Sequence, residues 1–245
     1  MNKVRFAEAV SAVNGTEEKE GIGTLSEKPL HRIFKYYLEP DSSRHEVKLS
    51  GVVADVYNQE GIFEIQTGGF YPLKKKLLRL LPEHKVTVVR PVISEKNIIW
   101  IDKDSGEMTE PKKSPKKGRF SDILPELTRL GEVFPCDGLT VKLVLISADE
   151  YKYLDGYGES KKRRATKVMI LPRSLVCELD LRTKEDVAGL IPDLPSPFRA
   201  KDLEAALRLR GKRNFFVLKY LLSLGIIERV GKDGNAFLYE KKMGF

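Results

Sequence analysis

The stretch VVADVYNQEGIFEIQT, residues 52–67, decides the fold. It reads as two apolar, β-branched runs around the polar turn Asn58-Gln59-Glu60-Gly61. A four-residue loop pairs Tyr57 with Ile62, and counting back sets Asp55 opposite Glu64. Side chains alternate along a strand, so Gln66 shares a face with Glu64. Directly opposed side chains sit ~5 Å apart, and like charges there cost stability. Two carboxylates facing each other amid Val52, Val53, Ile62 and Ile65 therefore call for a partner. A divalent cation with hard oxygen ligands, Mg²⁺ or Mn²⁺, is one. Such an ion activates water and stabilises a pentavalent phosphate. A short D…ExQ pattern alone is more often a hairpin edge with a solvated carboxylate.

Working outward, residues 26–38 read as a helix, with Leu30, Ile33, Phe34 and Tyr37 at i, i+3, i+4 and i+7. Thr24-Leu25-Ser26-Glu27 offers a capping box at its start, which gives Glu27 a local role. Residues 46–57 form a strand or a bent strand pair, and Pro72 opens a helix of about 10 residues ending near Leu81. Residues 85–92 and 97–102 read as two further strands. The order helix, three strands, helix, two strands predicts an α/β fold with a mixed sheet flanked by helices. Residues 111–182 hold a short helix at 121–130 and strands at 140–147 and 168–172, with no fold assigned. Residues 183–245 give helices at 184–190, 200–209 and 212–224, then two strands around Lys232-Asp233-Gly234-Asn235, a good hairpin turn. Three helices and a hairpin in this order look like a winged helix-turn-helix. The expected domains are thus 1–110, 111–182 and 183–245.

The 245 residues carry 43 Lys+Arg against 35 Asp+Glu, a formal net charge of +8, which favours an anionic partner. The excess is clustered. PKKSPKKGR at 111–119 and SKKRRATK at 160–167 each hold five cations and no acid, and Lys74, Lys75, Lys76 and Arg79 form a third group. One basic run is usually solvated surface or linker, but three together point to nucleic acid. The candidate contacts are Lys116, Lys117, Arg119, Lys161, Lys162, Arg163 and Arg164. In the last segment they are Lys212, Arg213 and Asn214 at the start of the third helix, and Lys232 on the hairpin. The Pro-flanked run at 111–119 also reads as a boundary. Two cysteines and three histidines exclude a disulfide scaffold and a Cys/His zinc cluster. No GxxxxGK[ST] is present, so ATP hydrolysis is not expected. Neither a membrane span nor a signal peptide is expected, and the expected compartment is the cytoplasm. His31 reads as a core or surface histidine, and Gly68-Gly69 only faintly as a phosphate loop.

Residues 26–92 resemble the core of the PD-(D/E)XK nuclease superfamily, in the layout of a bacterial family with a restriction-endonuclease-like sheet. That pattern has a helix bearing an acid, a strand with an Asp, a hairpin to a strand reading (D/E)-x-K, then a helix and a strand. Asp55 matches the motif Asp, Glu64 the acid of the second half-motif, and Glu27 the extra acid of the first helix. Gln66 stands where lysine is usual. The resemblance implies a Mg²⁺- or Mn²⁺-dependent nuclease that hydrolyses phosphodiester bonds in DNA. Asp55, Glu64 and Glu27 would then be metal ligands, with Gln66 at the water. The lysine role would have moved, for instance to Lys74, Lys75 or Lys28. The alternative is a DNA-binding or regulatory protein without cleavage activity. A homodimer, or a place in a multi-protein defence or repair assembly, stays open.

Overall fold

A computed structural model of the protein describes residues 1–20, 28–155, 165–242 and 244, without the side chains of 15–20. In chain order the elements are α1 (Lys3–Glu20), α2 (Pro29–Leu38), β1 (His45–Leu49), β2 (Val52–Asn58), β3 (Gly61–Ile65), α3 (Leu73–Leu80) and β4 (Val86–Ile101). They continue with β5 (Lys112–Lys113), α4 (Leu124–Leu130), β6 (Leu139–Tyr153) and β7 (Lys167–Leu181). The last are α5 (Lys184–Ala188), β8 (Phe198–Arg199), α6 (Ala200–Leu207), α7 (Lys212–Ser223), β9 (Ile227–Asp233) and β10 (Ala236–Lys241). The fold is α/β. A seven-stranded sheet runs β1-β2-β3-β4-β6-β7 with β5 on β4, and a three-stranded sheet runs β8-β10-β9. Among the described residues no helix is long and apolar enough to cross a membrane.

β1, β2 and β3 form an antiparallel meander, with Tyr57 paired to Ile62 as the turn length predicts. β4 and β6 run parallel, since their partners climb together: Ser94 bonds Ile146, Asn97 bonds Asp149, and Leu154 bonds Ile101. Between β6 and β7 the partners move in opposite directions, with Ser147 on Ser174 and Tyr153 on Thr166. The sheet therefore continues past residue 110, and β6 and β7 complete it.

Two expectations change here. The strands at 85–92 and 97–102 are one strand, β4. The polar Ser94-Glu95-Lys96 looks like a break, but chain 112–118 hydrogen-bonds alongside: Lys112 pairs with Ile98, Lys113 with Asn97, Ser114 donates to Lys96, and Gly118 donates to Ile93. The basic run at 111–119 is thus laid along a strand rather than strung out as a linker. A Cβ on Gly118 would lie 2.6 Å from the Ile93 carbonyl oxygen, so only glycine lets the chain approach this closely. Helix α1 was not expected at all.

By compactness the chain divides into two units. The first takes residues 1–67, 89–119 and 143–179. Its core joins Phe6, Ala9 and Val13 of α1, Leu30, Ile33, Phe34 and Tyr37 of α2, and Val56, Phe63, Ile65, Val89, Val144, Ile146 and Leu175 of the sheet. Phe6, Phe34 and Tyr37 meet edge to face, with ring centroids 5.3–6.2 Å apart. The Tyr37 hydroxyl donates to Glu178 at 2.7 Å; burial and that carboxylate push its pKa up to about 12.

The second unit takes residues 68–88, 120–142 and 180–245. Leu73, Leu77 and Leu80 of α3, Leu124, Leu127 and Leu130 of α4, and Val217, Leu218 and Leu221 of α7 are buried. α4 packs on both α3 and α7. The buried Tyr220 hydroxyl donates to the Phe134 carbonyl at 3.0 Å, satisfying an oxygen that water does not reach.

Two substitutions test this packing by urea denaturation. Phe34→Ala leaves a cavity in the first core and is expected to cost ~3–5 kcal/mol. Gly118→Ala forces the chain off β4 and is expected to cost ~1–3 kcal/mol, although an alanine on an open surface would be neutral.

Candidate functional site

On the hairpin, Val56 pairs with Phe63 and Tyr57 with Ile62, which places Asp55 and Glu64 on the next rung. There the strands part. The Ile65 N–H donates to Asp55 Oδ2 at 2.7 Å, and the Gln66 N–H turns to the Val89 carbonyl of β4. The Asp55 carboxylate thus stands in for a strand carbonyl and makes a charge-assisted bond. His31 Nε2 of α2 lies 3.4 Å from the same oxygen. Glu64 is 4% exposed. Gln66 is half-buried, and its carbonyl accepts from Arg90 at 2.9 Å.

One helical turn beyond His31, Lys35 is buried and donates to Glu46 of β1 at 2.7 Å. His31, Lys35, Glu46 and Asp55 therefore form a polar cluster along one side of α2. Sequence reasoning missed the Lys35–Glu46 part, because only the tertiary fold brings β1 to this helix. It preferred a core or surface place for His31 to one facing a phosphate.

The described residues do not by themselves make a metal site. Among them no group of three or more His, Cys, Asp or Glu side chains is arranged to hold an ion. Of the expected ligands, Asp55 already has the Ile65 N–H and His31 on one oxygen, and Glu27 lies outside the described residues. Lys74 sits on α3 in the second unit. The weak phosphate-loop reading of Gly68-Gly69 fails. Glu126 Oε2 accepts from the Phe70 N–H at 2.9 Å and would sit 3.3 Å from a Cβ on Gly69, so a carboxylate occupies the place a phosphate would take.

The candidate nucleic-acid contacts fall in two places. Lys116 and Lys117 are exposed on the segment lying along β4, and Arg119 is half-buried. Glu95 of β4 lies 3.4 Å from Lys113 and 4.0 Å from Lys117. Lys161, Lys162, Arg163 and Arg164 lie outside the described residues. In the last segment, Gly211 takes φ +58° ahead of α7, and Lys212 and Arg213 are exposed in its first turn. Asn214 departs from expectation. It is 4% exposed and donates to the Ala200 carbonyl at 2.9 Å, so it joins α7 to α6 and cannot reach DNA. On the β9–β10 hairpin, Arg229 and Lys232 stack over the Phe237 ring, 3.5 and 4.9 Å from its centroid.

The Lys35–Glu46 pair makes a pH prediction. The hydrogen bond from Lys35, and then its charge, hold the Glu46 carboxyl below its usual range. A lowered folded pKa contributes stability that is complete above the ordinary glutamate pKa and is lost as pH falls through the lowered value. Urea midpoints measured from about pH 7 down to about pH 3 should fall less steeply in Glu46→Gln than in the wild type.

A family model described as a domain of unknown function (DUF8091) matches residues 28–182. That span runs from α2 to β7 and so covers the large sheet. An uncharacterized protein of Treponema pallidum (strain Nichols) is 34% identical over 226 residues, which cover 90% of this chain and 88% of that one. No solved structure matches the chain. With both the large-sheet domain and nearly the full length matched, the chain belongs to the DUF8091 family.

Proposed function

We propose that this protein binds DNA, with residues 183–245 acting as a winged helix-turn-helix. The arrangement of cations in that segment carries the reading. Lys212 and Arg213 stand exposed at the N-terminus of the 12-residue α7, and Arg229 and Lys232 are held on the adjoining hairpin. The order α5, β8, α6, α7, β9, β10, with β8 paired to β10, supports the winged-helix reading. In such a module the start of the recognition helix meets the major groove and the hairpin meets the backbone. The helix dipole adds positive potential at that end. Phe215 and Phe216, 60% and 47% exposed on the same helix, offer apolar contact to base edges. The basic chain along β4 adds a second cationic surface.

A metal-dependent nuclease with a restriction-endonuclease-like core is the second reading. The opposition of Asp55 and Glu64 on adjacent strands favours it. The engagement of Asp55 by Ile65 and His31, and the burial of Glu64, favour binding without cleavage on this hairpin.

Two experiments decide. Lys212→Ala with Arg213→Ala should weaken duplex binding on all sequences and reduce the salt slope by about one unit per charge removed. Titrations of labelled duplex at several salt concentrations read this directly, and superimposed curves for wild type and variant would remove the winged-helix reading. For the second, plasmid and single-stranded DNA are incubated with Mg²⁺ or Mn²⁺, beside EDTA. The DNA-binding reading expects no metal-dependent cleavage. Under the nuclease reading, Asp55→Asn abolishes cutting while its amide oxygen still accepts from Ile65. Asp55→Ala instead strands that N–H and is expected to cost ~1–3 kcal/mol of stability, so the asparagine variant separates chemistry from folding.

A further inference from the structure

Three lysines from three strands converge on one carboxylate. Glu150 of β6 has a side chain only 8% exposed. Its Oε2 lies 2.5 Å from Lys96 Nζ of β4 and 3.4 Å from Lys152 Nζ of β6, and its Oε1 lies 4.0 Å from Lys167 Nζ of β7. Lys152 also stands over the Trp100 ring, 5.9 Å from its centroid. Lys96 and Lys152 are 19% and 23% exposed, so both are partly withdrawn from water.

The charges do not balance. Among the described residues, three ammoniums and one carboxylate leave two net positive charges, and Lys28, just ahead of α2, adds to the potential felt at Lys167. The neighbouring Asp149 does not offset this, because it is engaged with Arg173 at 3.2 Å and Asn97 at 2.9 Å. Burial pushes the Glu150 pKa up, but the ammoniums of Lys96, Lys152 and Lys167 outweigh it and hold the carboxyl below its usual range. Lys167 also has its pKa lowered, by burial first and then by the charges of Lys96, Lys28 and Lys152, against the pull of Glu150. Its side chain is 53% exposed, so solvent softens that effect. One carboxylate cannot engage all the N–H donors of three ammoniums. Holding like charges together in a partly dry place is unfavourable unless an anion completes the set.

We infer that the Lys96–Lys152–Lys167 cluster, organised by Glu150, binds a phosphate monoester dianion. The charge selects the class. A terminal phosphate carries close to two negative charges at neutral pH and neutralises the site, whereas an internal phosphodiester carries one. Lysines serve such a group as point-charge donors. Trp100 lies beside the cluster and can stack on the base attached to the phosphate. On the DNA-binding reading, on which this source of the phosphate rests, the ligand is the phosphorylated end of a strand. Free inorganic phosphate is the other source of the same chemistry.

The test measures fluorescence anisotropy of one labelled oligonucleotide with its unlabelled end either phosphorylated or bearing a hydroxyl, using the full chain. Thermal shift with inorganic phosphate runs alongside. The expected result is at least tenfold tighter binding of the phosphorylated strand, abolished in Lys152→Gln with Lys167→Gln, while that variant binds the hydroxyl strand as the wild type does. Equal affinity for the two strands together with no thermal shift overturns the inference and leaves DNA binding standing. Failure to bind either strand overturns DNA binding. If phosphate still raises the melting temperature in that case, and the shift is lost in the double variant, the site stands with free phosphate as its source. Glu150→Gln guards against a fold artefact: removing the carboxylate raises the net charge, so a folded variant that loses all phosphate preference shows that Glu150 positions the lysines.

Discussion

Ile33 and Phe34 of α2, both fully buried, share one core with Val56, Phe63 and Ile65 of the hairpin and with Val89, Val144, Ile146 and Leu175 of the longer strands. This one helix-on-sheet contact sets where the charged groups of the first unit can lie. A helix that buries one stripe must leave its flanks to neighbouring strands. On one flank, His31 and Lys35 reach Asp55 and Glu46. Just ahead of the first turn, Lys28 is close enough for its charge to act on Lys167. α1 covers the helix through Phe6, and the Tyr37 hydroxyl ties it to Glu178 of β7.

The buried polar groups follow from the same packing. Where β2 parts from β3, an unmet backbone N–H would be costly, and the Asp55 carboxylate meets it. That use gives Asp55 a structural reason to be acidic that owes nothing to a metal. Glu150 is the reverse case, a buried carboxylate with more cations than it needs. The first arrangement closes a gap in the ladder, and the second leaves a positive surplus.

The basic run at 111–119 shows how a composition signal can be right about charge and misleading about backbone. Its prolines and lysines read as a linker, yet residues 112–118 lie along β4. Lysines suit such a place, because exposed charge discourages further strand pairing. Gly118 supplies the close approach that the prolines alone would not suggest.

Much of the fold was legible in the sequence. The turn 58–61 gave the Tyr57–Ile62 pairing, the apolar spacing gave α2, and punctuation at Gly211, Gly225 and Asp233-Gly234 gave the C-terminal helices and hairpin, because these signals act within a few residues. α1 was not read: Phe6, Ala9 and Val13 do form a stripe, but among polar residues its meaning appears only when α2 packs against it. The site was legible only in part. The sequence named Asp55, Glu64 and the basic residues. It could not tell that Asp55 bonds a backbone N–H, that Asn214 is turned inward to Ala200, or that Lys96, Lys152 and Lys167 share one carboxylate. Those facts depend on side chains meeting across strands and helices far apart in the chain. Local pattern fixes which residues face one way along an element, and only the packed sheet decides which elements they face.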